Sequence, residues 1–362
     1  MNCAGVYIIS QRKNILLISN IYVSSVVGAG FATGQEIFSF FTKHGLPGFL
    51  GILISTLLLS LSGGLVLNKA INYDVRTISE MAEIKFGKPG AIFIKIVSAF
   101  LQFSVFAVML SGLKTIICKF NIPDIAGALI IAGAIFLIIS SDIKRVLKFN
   151  SIITPIVIIG ITGTCILLLL NVKGEPVNVV EITNGINYKW VISALLYGYF
   201  NSLLSVQALC SAKGSVQVTQ KASLHKHFSK NVIYGGILGG ILIGAMAFIS
   251  NIVLYKNAGA AGQSEMPIVY LASKHMNQYG NIYQLVIFTA MAGSAVICGK
   301  STIELFQTPT GKKHKKRNDM LKAFCVCIFA VPLSLVNFSG LINVLYPFFG
   351  AVGVVAMIFI LC

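Results

Sequence analysis

The chain has 362 residues, of which 56% are hydrophobic and only 11% are charged, and its formal net charge is +17. Globular proteins carry about 25% charged residues, so this composition excludes a water-soluble protein of this length. Ten membrane helices of about 20 apolar residues each would use roughly 200 positions and leave the rest for loops. We therefore predict an all-α polytopic membrane protein, a single transmembrane domain over residues 1–362.

The 28 basic residues do not indicate nucleic-acid binding, because they lie between apolar runs and form no basic patch on a soluble face. With the N-terminus in the cytoplasm, 19 of them fall in cytoplasmic segments and 6 in outer segments. Loops rich in Lys and Arg stay on the cytoplasmic side. The sequence thus predicts a multi-pass protein of the plasma membrane with both termini in the cytoplasm.

Ten apolar segments are predicted to span the bilayer, in chain order. They cover approximately residues 15–41, 46–68, 91–117, 124–141, 150–171, 190–211, 231–255, 279–303, 320–338 and 341–361. A polar, amphipathic segment at 72–89 separates spans two and three. The basic block Lys312–Arg317 is predicted to be a solvated loop before span nine.

The ten spans divide into two halves of five, at about residues 14–171 and 189–362. Because five is odd, the second half starts from the opposite side of the membrane, so a repeat would be inverted. Span one is predicted to be interrupted near Gly28–Gly34, and span six near Tyr197–Ser202. Paired interruptions in corresponding spans indicate a transporter site at the bilayer midplane.

The segment Val27–Glu36 is the most informative stretch, because it has three glycines in seven residues, followed by a glutamine and a glutamate. An unwound turn there frees backbone groups that lipid cannot satisfy, so a cavity, an ion, a substrate or a neighbouring helix must do so. Close packing of Gly30 and Gly34 against another helix is the alternative. Packing alone does not explain the adjacent polar residues.

This segment, with Phe40, Phe41 and Gly45 after it, resembles the first span of the YkvI-like membrane proteins. That family is a group of amino acid permeases within the amino acid–polyamine–organocation (APC) superfamily, and the resemblance extends over the whole chain. It implies the LeuT-type fold, with ten transmembrane helices in a 5+5 inverted repeat and with helices 1 and 6 broken.

The resemblance also implies the substrate site, in which backbone amides at the first break face a substrate carboxylate. An aromatic and amide wall from span six would face them. The predicted substrate-binding residues are Gly28, Ala29, Gly30, Phe31, Thr33, Gln35, Glu36, Gln102, Tyr197, Phe200 and Asn201. For Gln102 a hydrogen bond between helices is an equal alternative, and the two aromatic residues could be ordinary core or lipid-facing side chains.

Glu36 is an ionisable residue within a predicted span, where charge is costly and usually functional. It could carry a proton, provide a counter-charge for a substrate or gate, or tie the outer half-helix to a neighbour. Lys300 and Glu304, four residues apart at the end of span eight, are interpreted as a snorkelling pair.

A sodium site is implied by the same resemblance, formed by the carbonyls of Ser24 and Val27 and the hydroxyl of Thr289. The next residue, Ala290, lacks the second hydroxyl common in sodium-coupled relatives. Span five contains no lysine that could replace the ion, as in some proton-coupled relatives. Sodium and proton coupling therefore stay open, and no cofactor other than a coupling ion is implied.

These features predict a secondary active transporter of an amino acid or similar small organic solute, working by alternating access with Na+ or H+. The sequence shows no nucleophile–base set, metal cluster or phosphate loop, so we predict that it is not an enzyme. The alternative is a ligand-sensing subunit of the germination-receptor type, which binds a nutrient without accumulating it. The predicted partners are the solute and the lipid bilayer, without nucleic acid; no protein partner is indicated.

Overall fold

A computed structural model of the chain is all-helical over the residues it describes, which are 3–171, 188–215, 225–262, 264, 266–276, 279–306, 312–336 and 338–361. The helices are numbered in chain order. They are α1 Cys3–Val26, α2 Ala29–Ala32, α3 Gln35–Phe40, α4 Pro47–Asn72, α5 Ile78–Ile117, α6 Asp124–Ile139, α7 Ile143–Asn171, α8 Lys189–Ser215, α9 His225–Lys256, α10 Ala258–Ala261, α11 Pro267–His275, α12 Tyr279–Leu305, α13 Lys312–Ser334 and α14 Phe338–Leu361.

Among the residues that the structure describes, seven helical segments are long and apolar enough to cross a membrane. They are Pro47–Asn72, Ile78–Phe120, Arg145–Asn171, Lys189–Ala212, Asn231–Lys256, Gly280–Leu305 and Gly340–Met357. Two shorter apolar helices, Asn14–Val26 and Asp124–Ile139, belong to α1 and α6. Each of the ten predicted spans overlaps at least one helix, and the first overlaps the broken series α1 to α3.

The first span is interrupted where the sequence predicts it. Helix α1 ends at Val26, and the next helix starts only after Gly28, whose backbone is extended (φ −106°, ψ −155°). Gly34 then separates α2 from α3 with φ +83°, a left-handed conformation that favours glycine. The helical path of the first span is thus interrupted twice, at Gly28 and at Gly34.

The predicted interruption of span six is wrong, because α8 is a continuous helix from Lys189 to Ser215. The predicted break at Tyr197–Ser202 has only one glycine, Gly198, and a Cβ there would lie 2.9 Å from Cδ1 of Leu58, so this glycine serves close packing. The Asn201 amide group donates to the Tyr197 carbonyl one turn earlier, at 3.1 Å. The polar side chain therefore reinforces the helix and does not open it.

Helix α1 lies at the centre of the bundle, where it packs against α7, α8, α9 and α12. Helices α4 and α9 form the closest pair, and glycines permit their approach. A Cβ on Gly236 would lie 2.6 Å from the carbonyl oxygen of Gly63, and one on Gly240 would lie 2.5 Å from the amide nitrogen of Ser60. Small residues of this kind allow two membrane helices to pack backbone to backbone.

Two polar segments are helical as well. The predicted amphipathic segment forms the first part of α5, capped by Thr77 and ended by a kink at Gly87 (φ +62°). The basic block Lys312–Arg317, predicted as a loop, instead forms the first turns of α13. Lys and Arg are good helix formers, and here they form the N-terminal end of α13.

Candidate functional site

The carboxyl group of Glu36 folds back onto the backbone of Gly30. A Cβ built on Gly30 would lie 2.3 Å from Oε1 of Glu36 and 2.8 Å from its Cδ, so only glycine leaves room for this carboxyl. Both residues are buried, and Glu36 is 2% exposed. Because Gly30 has no side chain, there is room for the Glu36 carboxyl at the helix break.

The backbone amides at the break are only partly free. The amide of Gly28 donates to the Val26 carbonyl at 2.9 Å, and the amide of Ala29 contacts Sδ of Met109 at 3.3 Å. Phe31 would donate to Val27 in an unbroken helix, but no hydrogen bond is found for its amide within the described part of the chain. Fewer backbone amides are thus free to face a substrate carboxylate than predicted, since Met109 and Glu36 occupy part of the space at the break.

Aromatic rings from three helices close the space around Glu36. The Tyr197 ring packs against Phe40 and Phe41, with ring centroids 5.3 and 4.9 Å apart. The ring of Phe200 lies 4.7 Å from that of Tyr346 on α14. The predicted wall from α8 therefore lies beside the break, although its helix is continuous.

Glu36 has a phenol as its neighbour and no cation. The hydroxyl group of Tyr346 lies close to its carboxyl, and Tyr197 lies close to both. Atom Oε2 of Glu36 and the hydroxyl of Tyr197 are buried without a hydrogen-bond partner. None of the described Lys, Arg or His side chains forms an ion pair with this carboxylate.

The remaining predicted residues divide between tying helices together and lining the site. Gln102 donates from Nε2 to the Leu204 carbonyl at 2.5 Å, which is the interhelical hydrogen bond considered above, while its Oε1 has no partner. The side-chain oxygens of Gln35 and Asn201 are buried without partners too. Thr33 donates to the Gly30 carbonyl at 3.3 Å and thus supports the turn.

A cavity of about 450 Å³ joins the Glu36 carboxyl to the polar end of the bundle. It is lined by Tyr346 and by three basic residues, Lys43, His44 and Lys189. Burial lowers the pKa of His44, and the neighbouring lysine charges lower it further, so its ring is neutral at pH 7. The two lysines give this opening its positive charge.

The hydroxyl that faces the predicted sodium-site carbonyls belongs to Ser294. Its Oγ lies 2.8 Å from the carbonyl oxygen of Ser24 and 3.0 Å from that of Val27. The break frees both carbonyls, because the amide of Gly28 bonds to Val26 and not to Ser24. Three neutral oxygens of this kind suit a hard cation such as Na+.

Thr289, the predicted hydroxyl ligand, does not contact these carbonyls in the structure. Its hydroxyl donates to the Val286 carbonyl within its own helix at 2.8 Å. Five residues along a helix correspond to a rotation of about 140° beyond one turn, which places positions 289 and 294 on different faces. Gly293 is the sequence signal for the correct face, since a Cβ there would lie 3.0 Å from Oγ of Ser24.

No family model matches the chain. It is 27% identical over 353 residues to the uncharacterized membrane protein YkvI of Bacillus subtilis (strain 168), covering 94% of each chain. It is 24% identical over 349 residues to the uncharacterized protein YyaD of the same strain, again covering 94% of each. The chain is homologous to YkvI and YyaD. The homology confirms the resemblance carried by the Val27–Glu36 segment.

Solved structures of transporters share this fold. A Na+-coupled sialic acid symporter has a TM-score of 0.65 at 13% identity, covering 93% of this chain and 78% of that one. The Eremococcus coleocola manganese transporter gives 0.67 at 11%, covering 95% and 78%. MhsT in complex with L-phenylalanine gives 0.63 at 14%, covering 94% and 87%. The chain thus has the fold of LeuT-type transporters, and its apolar helices and homology to a membrane protein identify a multi-pass membrane protein.

Proposed function

We propose that this protein is a secondary active transporter of an amino acid or similar small organic solute. The observation that supports this most directly is the broken first span, where Glu36 lies on Gly30 beside the unpartnered amide of Phe31. The Glu36 carboxylate could bind the ammonium group of a zwitterionic solute, and the Phe31 amide could donate a hydrogen bond to its carboxylate. Transporters place such breaks at their substrate sites.

Glu36 is the counter-charge for the ammonium group in this proposal. A buried carboxylate without a cation is unfavourable by several kcal/mol, and an incoming ammonium would remove that penalty. The rings of Tyr197, Phe200 and Tyr346 would enclose the rest of the solute, since they already pack around the carboxyl. The carboxylate of the solute would accept a hydrogen bond from Phe31.

Sodium is the coupling ion that the oxygens favour. The carbonyls of Ser24 and Val27 with the hydroxyl of Ser294 would hold Na+ one turn below the solute. The ion would stabilise the break by replacing the hydroxyl as partner of both carbonyls. Proton coupling through Glu36 is the alternative, and a Na+ dependence of binding separates the two.

The proposal also includes the arrangement of the chain in the membrane. The ten spans form a 5+5 inverted repeat in the plasma membrane, with both termini in the cytoplasm. The helix lengths and the distribution of basic residues support it. The structure differs from this arrangement in one respect, because α8, the sixth span, is unbroken.

Solute counterflow in proteoliposomes tests the proposal. Vesicles are loaded with one unlabelled amino acid at a time, and entry of the same labelled amino acid is measured with and without Na+. We expect at least one amino acid to exchange in a protein-dependent manner. A sensor of the germination-receptor type would instead bind an amino acid in a thermal-shift screen and show no counterflow with it.

A further inference from the structure

A second cavity, separate from the candidate site, opens on the surface between α5, α12 and α13. Its volume is about 630 Å³. Ile96, Phe100 and Phe103 line it from α5, and Cys325 and Phe329 line it from α13. These positions recur every three or four residues, so each helix contributes one face. We call this cavity the lateral groove.

The lateral groove is apolar and open to the surroundings of the bundle. Phe329 is 67% exposed, and Ile96 and Phe100 are more than half exposed. Within a bilayer such side chains contact lipid chains. The α5 wall runs from Ile96 to Phe103, about 10 Å along the helix axis. A neighbouring transmembrane helix would need contacts over much of the hydrocarbon thickness of about 30 Å, so the groove fits a lipid chain better than a helix.

Two lysines mark one end of the lateral groove. Lys322, which lines it, donates from Nζ to the Phe306 carbonyl at 2.7 Å. The ammonium of Lys95 lies 5.1 Å from the centroid of the Phe306 ring. The ammonium groups of Lys95 and Lys322 thus both lie near Phe306, the residue that follows the end of α12.

The charge at this end is strongly positive. Helix α13 begins at Lys312, so the five Lys and Arg residues of the block Lys312–Arg317 precede Lys322 on the same helix. Two acidic residues oppose them, Glu304 at the end of α12 and Asp319 on α13. With the two lysines of the groove, seven basic residues stand against two acidic ones. An anion is favoured at this end.

We propose that the lateral groove binds one anionic phospholipid, with an acyl chain along Phe100 and Phe329 and the phosphate between Lys95 and Lys322. Basic pockets between membrane helices on the cytoplasmic side select anionic head groups, and the basic-residue distribution places this end in the cytoplasm. A zwitterionic lipid would bring its ammonium group close to the same lysines and bind less tightly. The site is independent of solute transport.

Native mass spectrometry of the purified full-length protein tests this. The protein is titrated with phosphatidylglycerol and with phosphatidylcholine of identical acyl chains. We expect tighter binding of phosphatidylglycerol, and at least about tenfold weaker binding of it in the double variant Lys95→Gln/Lys322→Gln. The matched control is Lys274→Gln, a lysine 5.8 Å from the Tyr270 ring on another helix, which should bind as wild type.

Two further variants make the test decisive. Lys95→Gln alone leaves the Lys322 hydrogen bond intact, so it should fold normally and still weaken phosphatidylglycerol binding. Cys325→Trp fills the groove from an exposed position and should reduce the binding of this lipid. Equal affinity of the wild type for both lipids, or unchanged phosphatidylglycerol affinity in these variants, would overturn the proposal. Dimers that disappear in Cys325→Trp would overturn it too, by assigning the groove to a second copy of the chain.

Discussion

Glu36 is held in an environment that neither solvates nor neutralises its charge. Its carboxyl lies against the Gly30 backbone with the phenol of Tyr346 nearby, and one carboxyl oxygen has no hydrogen-bond partner among the described residues. Structural carboxylates in membranes are normally paired with a cation or with several donors. This side chain is therefore a poor structural tie and a suitable ligand for a charged solute.

Replacing Glu36 separates these two roles. We expect Glu36→Gln to insert and to keep its melting temperature, because the amide has the same size, and to lose counterflow. Glu36→Ala should be no less stable than wild type, since it removes an unpaired carboxyl. The matched control is Glu83→Gln on the exposed face of α5, which should transport normally. Wild-type counterflow in Glu36→Gln would remove Glu36 from the site.

Ser294 joins α12 to the two carbonyls freed at the break. We expect Ser294→Ala to abolish Na+-dependent thermal stabilisation and to reduce the free energy of unfolding by about 1–3 kcal/mol, because the carbonyls lose their partner. Thr289→Ala is the control, since its hydroxyl bonds only within its own helix. Differential scanning fluorimetry with NaCl against KCl measures both. Loss of the Na+ effect in Thr289→Ala alone would restore the original assignment.

At the scale of helices, the two predicted interruptions show what sequence can and cannot establish. Three glycines leave only the four-residue helix α2 between Val27 and Gly34, so local composition suffices to predict this break. Tyr197–Ser202 has one glycine, and whether it unwinds depends on its neighbours. There the Asn201 side chain bonds within the helix and Gly198 serves packing against α4. The contact of Ser294 with the Ser24 and Val27 carbonyls could not be predicted from sequence either, because it depends on how α12 is rotated relative to α1.

Glycine at position 30 is required for the geometry of the break. We expect Gly30→Val to insert in the membrane and to lose solute binding in thermal-shift assays, because its side chain would displace the Glu36 carboxyl. Gly133→Val in α6 is the matched control, since a Cβ there meets nothing within 4 Å. Wild-type affinity in Gly30→Val would show that this backbone is not the site.

For the whole molecule, orientation is a prediction from charge alone, because helix packing is the same whichever side faces the cytoplasm. We expect Lys148→Cys on α7 to react with an impermeant maleimide only in opened cells, and Lys119→Cys after α5 to react in intact cells. Both positions are exposed. The exposed native Cys325 is replaced by serine in both variants. The reverse labelling pattern would overturn the topology.

The long spans could be read from hydropathy, since about 20 consecutive apolar residues have few alternatives in a membrane. The lateral groove could not, because its walls come from α5, α12 and α13, which are far apart in sequence. The same holds for Tyr346, which meets Glu36 only through the packing of α14 against α8. Contacts between distant segments require the three-dimensional structure.

The broken first span has a consequence for biosynthesis. Its uninterrupted apolar part, Asn14–Val26, has 13 residues, and a helix of that length reaches about 20 Å, less than the hydrocarbon core. The remaining depth is covered by α2 and α3, which carry Glu36. The insertion machinery would therefore recognise the first span poorly as a transmembrane helix. Stable integration of the N-terminal segment should follow the synthesis of α7, α8, α9 and α12, whose surfaces bury it.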